Sequence, residues 1–161
     1  MPALLWRAFA GATLAWALLL VAVPFEASRA PLSSVAAAAV VAVYAIGGLV
    51  CHQLPQRSYR LWSAQMPVCA RCAGIYAGAA AASLVALTAP RRAPARASAV
   101  GAGTSRARAI LALAAAPSLA TLVYEWTTRH APSNTIRFAA GLPIGIAVAW
   151  LLVAASEDQV N

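Results

Sequence analysis

The sequence contains no lysine and few acidic residues. Its 161 residues include twelve arginines against four Asp and Glu residues, and charged residues make up 10% of the chain. By contrast, 62% of the residues are hydrophobic, which is more than one soluble core of this size can bury. The composition therefore argues against a soluble globular domain and indicates an integral membrane protein.

The scarcity of acidic residues leaves a formal net charge of +8. In a membrane protein, excess Arg is typical of loops that face the cytoplasm or anionic headgroups, and we do not interpret it as nucleic-acid binding. Transport is the least favoured function, because almost uncharged helices offer no polar pathway across the bilayer. The expected partner is the lipid bilayer, with no nucleic acid.

Five apolar stretches each have roughly the length needed to cross a hydrocarbon core of about 30 Å. Because lipid cannot satisfy free backbone amides, each stretch is predicted to be an α-helix, and strands are not expected. The predicted fold class is therefore all-α, a multi-pass transmembrane bundle of about five helices that forms a single membrane domain over residues 1–161. The predicted helices cover residues 4–23, 32–50, 73–89, 110–126 and 138–155.

The first apolar stretch has two interpretations. Arg7, the apolar run and the small residues at 27–30 are also typical of a cleavable signal peptide. However, the run is long for a signal, and Pro31 would follow the most plausible cleavage site. A retained helix is therefore favoured.

An Arg-rich segment, residues 90–108, separates the third and fourth predicted helices and contains five Arg and no acidic residue. It is predicted to be a flexible loop. With five crossings, six arginines fall on each side, with Arg29 on the side of this loop and Arg7 on the opposite side. The density of Arg in the loop favours the cytoplasm for it, which places the cysteine segment at the outer face.

All the cysteines of the chain lie in the connection between the second and third predicted helices. Cys51 and His52 end one helix, and Cys69 and Cys72 open the next. Antiparallel neighbouring helices bring such ends together, and three cysteines with one histidine are a ligand set for tetrahedral Zn²⁺ or another thiophilic metal. Because Cys51 and His52 would point about 100° apart on a regular helix, one of them is free to serve elsewhere.

Thiol redox chemistry is the alternative for the same residues. A Cys-x-x-Cys pair at a helix start, with Arg71 between Cys69 and Cys72, predicts a lowered thiol pKa, and thiolate serves both disulfide exchange and metal binding. A quinone-coupled oxidoreductase would need four redox cysteines, whereas this chain has three. Metal binding is therefore favoured; redox catalysis with Cys69 as the nucleophile, a structural disulfide, and an accessory role in a membrane complex stay open.

The connection after the fourth predicted helix lies on the same side and supplies possible supporting residues. Ionisable groups at or in a membrane helix are candidates for function, and Glu125 could instead pair locally with Arg129. Arg71 would offset thiolate charge, and residues of this connection would donate hydrogen bonds to the ligands. The supporting set is Arg57, Arg71, Glu125, His130, Asn134 and Arg137.

Two further patterns concern packing and the membrane surface. The stretch from Arg57 to Trp62 alternates basic and aromatic residues, which predicts an interfacial re-entrant or surface helix. The pairs Gly74-x-x-x-Gly78 and Gly141-x-x-x-Gly145 allow close helix approach. Packing within one chain is favoured for these glycines; contact in a homo-oligomer or with a membrane-complex partner is the alternative.

Three motifs together resemble a known family. They are CHQxPxRS from residue 51, PVCARCxGIYxG from residue 67 and SNxxR from residue 133. This combination resembles a family of small predicted bacterial membrane proteins classed as a domain of unknown function. The resemblance implies a multi-pass protein of the bacterial inner membrane and carries no activity with it.

Overall fold

The computed structural model describes residues 2–29, 31–88 and 104–158. Within these residues the chain forms five helices, which confirms the all-α fold class. They are α1 (Pro2–Ala27), α2 (Ser34–Val50), α3 (Ala70–Thr88), α4 (Thr104–Thr128) and α5 (Asn134–Asp158).

Several helix ends differ from the prediction by two to six residues, among them the end of α1 and the start of α4. Helix α1 continues through Pro24 to Ala27. The proline removes only one backbone hydrogen bond, whereas a helix that ended there would leave further amides unpaired in lipid. Helix α4 already begins at Thr104, so residues 104–108 are helical and not part of a flexible loop. Ala and Arg are strong helix formers, which explains this extension. The remainder of the predicted loop, residues 90–103, and the predicted helix end at residue 89 lie outside the described residues.

Four of the described helices are long and apolar enough to cross a membrane: Leu4–Ala27, Ala70–Thr88, Thr104–Thr128 and Asn134–Ser156. Helix α2 is apolar but has 17 residues, which gives it a length of about 26 Å, short of a hydrocarbon core of about 30 Å. By length, α2 is therefore the weakest candidate for a crossing.

The contacts at the two ends show that α1 and α2 finish at the same end of the bundle. Near the end of α1, the Phe25 ring lies 5.2 Å from the Trp62 ring in the connection that leads to α3. Directly after α2, the Sγ of Cys51 accepts a hydrogen bond from the backbone N–H of Cys69. Since α1 already brings the chain to this end, α2 does not carry it back across.

The prediction that all five stretches cross is therefore corrected at α2. The candidate crossings are α1, α3, α4 and α5, and they leave α2 and the α2–α3 connection as a cap at one end of the bundle. This end is called the cap end below. The correction moves Arg29 to the cap end and Arg7 to the opposite end.

Helices α3 and α5 run parallel and form the tightest contact of the bundle. A methyl group added at any of four glycines would overlap backbone atoms of the facing helix: Gly74 against Phe138, Gly78 against Leu142, Gly141 against Arg71, and Gly145 against Ile75. They are the glycines of the two Gly-x-x-x-Gly pairs, and they pack within one chain, in agreement with the interpretation favoured from the sequence.

The outer helices pack on this pair through aromatic and hydroxyl side chains. Helix α1 lies against α3, with the Trp16 and Tyr76 rings 5.9 Å apart. Helix α4 lies against α5, and the Ser118 hydroxyl donates to the carbonyl of Ala140 at 2.8 Å. The parallel direction of α3 and α5 follows from the crossing of α4 between them, so both helices begin at the cap end.

The α2–α3 connection contains a short 3₁₀ turn at Pro55–Arg57 and an antiparallel hairpin of Arg60–Leu61 with Ala64–Gln65. Trp62 and Ser63 form the two-residue turn and have φ angles of 49° and 70°. Positive φ at both turn positions is typical of the tight turns that join hairpin strands. The interfacial helix predicted from Arg57 to Trp62 is therefore wrong, whereas the apolar stretches are helical, as expected.

Candidate metal centre

Three thiols converge at the cap end. The Sγ atoms of Cys51, Cys69 and Cys72 all lie within 4.8 Å of one another, and all three residues are half-buried. Cys51 follows the last residue of α2, Cys69 precedes the first residue of α3, and Cys72 lies in the first turn of α3. Tetrahedral Zn²⁺ with bonds of about 2.3 Å holds two sulfurs about 3.8 Å apart. The three thiols are therefore close to the geometry of a shared metal ligand set.

Gln53 joins the two halves of this site. Its side-chain Nε2 donates to the backbone carbonyls of Tyr44 at 2.7 Å and Pro67 at 2.6 Å. The backbone carbonyl of Gln53 accepts a hydrogen bond from Nε2 of Gln65 at 2.6 Å. A Cβ at Gly47 would overlap the carbonyl of Pro67, so the end of α2 lies directly against the residues that lead to Cys69. These contacts fix the separation of Cys51 and Cys69. Gln53 was not among the residues predicted for the site, and its place directly after Cys51 and His52 was the available signal.

An apolar cluster surrounds the thiols on the side of the bundle. Cys51 and Cys72 pack against its buried members, which come from α1, the connection and α3: Leu20, Met66, Val68 and Ala73. Such a shell limits the access of water to the sulfur atoms and so influences metal affinity and thiol reactivity. The thiol site is therefore only partly accessible to water.

The start of α3 stabilises the thiolate of Cys69. A hydrogen bond from the Cys72 thiol is the largest influence on the Cys69 thiol; the backbone amide of Cys72, the Cys51 thiol and the backbone amide of Arg71 also contribute hydrogen bonds. Together they lower the pKa of Cys69 to about 5, although burial acts in the opposite direction. Cys69 thus takes the position of a helix N-cap, where a side chain accepts free amides of the first turn.

The two histidines lie outside the group of thiols. His52 follows Cys51 directly, but it is exposed and is not among the grouped ligand atoms. His130 is also exposed, and its Nδ1 lies 2.8 Å from the carbonyl of Thr128. Of the four predicted metal ligands, the structure brings the three cysteines together and leaves His52 beside them.

A second polar group at the cap end is the arginine cluster, defined as Arg57, Arg71 and Arg137 around Glu125. The buried Glu125 carboxylate accepts a hydrogen bond from Arg137 and lies 3.1 Å from Arg57 and 4.0 Å from Arg71. These long-range partners replace the local pairing with Arg129 that the sequence suggested as an alternative.

Further hydrogen bonds tie the arginine cluster to the cap. Arg71 donates to the Thr121 hydroxyl at 2.9 Å, and Arg137 donates to Oδ1 of Asn134 at 3.3 Å. Nδ2 of Asn134 in turn donates to the carbonyl of Ser58 at 3.1 Å. Five of the six predicted supporting residues therefore meet at this end of the bundle. Arg71 donates to Thr121, Asn134 donates to Ser58, and Arg137 donates to both Asn134 and Glu125, so these hydrogen bonds do not go to the metal ligands, contrary to the prediction.

Four apolar crossings and a cluster of three thiols at a helix start define a helical membrane protein with a cysteine centre at one end. Residues 51–151 match the family described as "Predicted membrane protein (DUF2085)", and the chain belongs to this family. This confirms the resemblance to a family of predicted membrane proteins of unknown function.

The relatives found by comparison carry no described activity. The uncharacterized protein MJ1492 of Methanocaldococcus jannaschii is 53% identical over 38 residues, which are 24% of each chain. An uncharacterized protein of Methanothermobacter thermautotrophicus is 32% identical over 103 residues, which are 63% of this chain and 83% of the relative. Both relatives are archaeal, whereas the resemblance had suggested a bacterial family. No solved structure matches the chain.

Proposed function

We propose that the protein binds a thiophilic transition metal, in the first place Zn²⁺, through Cys51, Cys69 and Cys72 at one face of a bacterial cytoplasmic membrane. The observation that carries this proposal is the approach of three Sγ atoms to within 4.8 Å of one another. Thiolates are the ligands that Zn²⁺ and other soft metals select.

The donor set leaves one position of a tetrahedron to be filled. His52 is adjacent to Cys51 and exposed, so in this proposal either His52 or a water molecule provides the fourth ligand. Glu125 is a poor fourth ligand because three arginines already surround its carboxylate. An exchangeable fourth position suits a protein that senses or handles a metal, whereas four protein ligands suit a structural site.

The distribution of arginine supports an outer-face location for the site. Of the six arginines at the cap end, Arg57, Arg71 and Arg137 contact Glu125. The other three are Arg29, Arg60 and Arg129. Arg7, Arg106 and Arg108 lie at the opposite end, and the sequence that joins α3 to α4 contains three more arginines. Since cytoplasmic segments carry the excess of Arg, the opposite end is proposed to face the cytoplasm.

Metal analysis of purified protein tests the proposal. Protein prepared anaerobically under reducing conditions is expected to contain about one equivalent of metal per chain, and Cys51→Ser, Cys69→Ser and Cys72→Ser should each lower this content. His130→Ala is the control and should keep the metal, because His130 lies outside the thiol group. Less than about a tenth of an equivalent of any transition metal in the unaltered protein would rule out the proposal.

Thiol–disulfide exchange is the second candidate, favoured by the lowered pKa of Cys69 and its contact with Cys72. The Cys69 thiolate would attack a substrate disulfide, form a mixed disulfide and expel one substrate thiolate. Cys72 would then pass its thiol proton to the expelled thiolate and attack the Cys69 sulfur, which releases the second substrate thiolate and leaves the Cys69–Cys72 disulfide. The substrate is reduced by two electrons and the protein is oxidised by two.

Trapping distinguishes the two candidates. In Cys72→Ser the resolving thiol is absent, so an exchange enzyme should accumulate a mixed disulfide on Cys69 that mass spectrometry detects. A metal site predicts no such accumulation and a loss of bound metal in the same variant.

A further inference from the structure

The arginine cluster carries more positive charge than Glu125 neutralises. Among the described residues, three guanidinium groups contact one carboxylate, which leaves an excess of two positive charges. Glu125 and Arg137 are both buried. One carboxylate neutralises one arginine, and no second acidic residue in the described part of the chain pairs with the other two.

Burial makes this excess unfavourable in the structure as it stands. Arg137 is 2% exposed, and the Arg71 side chain is 17% exposed. The Nε atoms of both residues are buried and have no hydrogen-bond partner among the described residues. A buried charge without a counter-charge, and a buried N–H without an acceptor, both cost free energy. An anion at the exposed side of the cluster would balance the excess charge.

The surroundings favour an anion at this position. Arg71 lies in the first turn of α3 and Arg137 in the first turn of α5, where the helix dipole adds partial positive charge. The Arg57 side chain is 40% exposed, so the cluster reaches the protein surface on one side. The cluster is therefore both accessible and electropositive.

We infer that the arginine cluster binds a phosphate-type oxyanion, which comes either from a phospholipid headgroup or from free phosphate. A tetrahedral oxyanion accepts several N–H donors at once, and the planar fork of guanidinium matches it in a bidentate manner. Zwitterionic headgroups bring their own positive charge and so compensate the excess less well than anionic ones. This site is separate from the thiol centre, and the inference does not depend on metal binding.

The probes are inorganic phosphate and membranes of two compositions. Purified protein is titrated with phosphate in detergent, and protein reconstituted in bilayers of phosphatidylcholine, with or without phosphatidylglycerol, is examined for retained lipid by native mass spectrometry. The test variant is Arg57→Gln, because Arg57 is the most exposed arginine of the cluster and its loss disturbs packing least. Arg60→Gln is the matched control: it removes the same charge three residues away, from an exposed side chain that does not contact Glu125.

The inference predicts binding that Arg57→Gln weakens at least about tenfold and that Arg60→Gln leaves within about twofold, since a hydrogen bond to a charged group is lost in the first variant alone. Binding of phosphate in detergent would identify the free ion as the source. Retention of phosphatidylglycerol without phosphate binding would identify the headgroup. Equal losses of affinity in both variants would show attraction by net charge and would overturn the inference. Absence of binding of both probes would show that Glu125 is the sole anion and would overturn it as well.

Metal content measured on the same samples separates this inference from the proposed function. Arg57→Gln is expected to keep the metal content of the unaltered protein while it loses the anion.

Discussion

At the scale of single residues, the unusual feature is a cysteine in the position of a helix N-cap. Ser, Thr, Asp and Asn are the usual residues there, because their oxygen accepts amides of the first turn. Cys69 takes this role with sulfur, and the Cys72 thiol, together with the amides of Cys72 and Arg71, favours its ionised form. The helix start therefore prepares a thiolate before any metal or substrate arrives.

This predicts an unusual pH dependence of alkylation. The pKa of Cys69 is lowered to about 5, so its thiolate persists above that pH and is lost as the pH falls through it. In metal-free, reduced protein, the iodoacetamide rate at Cys69 should change less than about twofold between pH 6 and 8, whereas an ordinary thiol with a pKa of about 8.5 gains almost tenfold per unit. An exposed Ser63→Cys thiol serves as the reference, and parallel profiles for the two sites would contradict the prediction.

Gln53 is the residue whose role the sequence concealed. In Gln53→Ala, the hydrogen bonds to Tyr44 and Pro67 are lost, and the end of α2 is freed from the residues before Cys69. Residues that orient metal ligands typically contribute about 10- to 100-fold to affinity, and a loss of this size in Zn²⁺ affinity is expected in a competition assay with a chelator. Gln56→Ala, an exposed glutamine in the same connection, should leave affinity unchanged. Equal affinities of the two variants would assign the thiol geometry to other contacts.

At the scale of elements, the packing of α3 on α5 depends on glycines that the sequence already revealed. Their spacing predicted close approach, but not that the two pairs face each other on parallel helices. That relation follows from the crossing of α4, and it leaves these glycines covered within one chain. An oligomer or complex would have to use another surface.

Gly78→Ala tests this packing against Gly11→Ala. A Cβ at Gly78 would overlap the backbone of Leu142, whereas nothing lies within 4 Å of a Cβ at Gly11. Gly78→Ala is therefore expected to destabilise the protein by about 1–3 kcal/mol, the usual cost of overpacking. Gly11→Ala is expected to be neutral or stabilising by up to about 1 kcal/mol, because alanine favours a helix. The unfolding midpoint in detergent and SDS checks both, and a Gly78→Ala midpoint at or above that of Gly11→Ala would contradict the packing.

The elements that sequence reasoning misjudged are those decided by tertiary contact. The strands of the hairpin have two residues each, and Trp62 and Ser63 lack the Asn-Gly or Asp-Gly signal of tight turns. The length of α2 lies at the border for a crossing. Its actual course depends on where α1 ends, which the Phe25–Trp62 contact fixes and no local pattern encodes.

At the scale of the whole molecule, four crossings place the thiol centre and the arginine cluster at one end. The sequence sufficed to single out Cys51, Cys69 and Cys72, because clustering and spacing are local. It did not show that Glu125 contacts arginines from the cap, α3 and α5. Those arginines are distant from Glu125 in the chain, and none of them belongs to a local pattern that predicts the contact.

Accessibility in intact cells tests the arrangement of the crossings. In a variant without the native cysteines, a membrane-impermeant maleimide should label Ser63→Cys at the cap end directly. Thr104→Cys, at the start of α4, should be labelled only after permeabilisation. The reverse pattern would leave the four crossings intact but invert the proposed orientation, and labelling of both sites from one side would contradict the four-crossing arrangement.

X-ray absorption at the zinc edge of the metal-loaded protein is the most direct test of the central claim that three cysteines form one metal centre. The proposed function predicts a first shell of three sulfur atoms at about 2.3 Å and one nitrogen or oxygen atom at about 2.0–2.1 Å. A shell with fewer than three sulfur atoms, or one of nitrogen and oxygen alone, would contradict the claim.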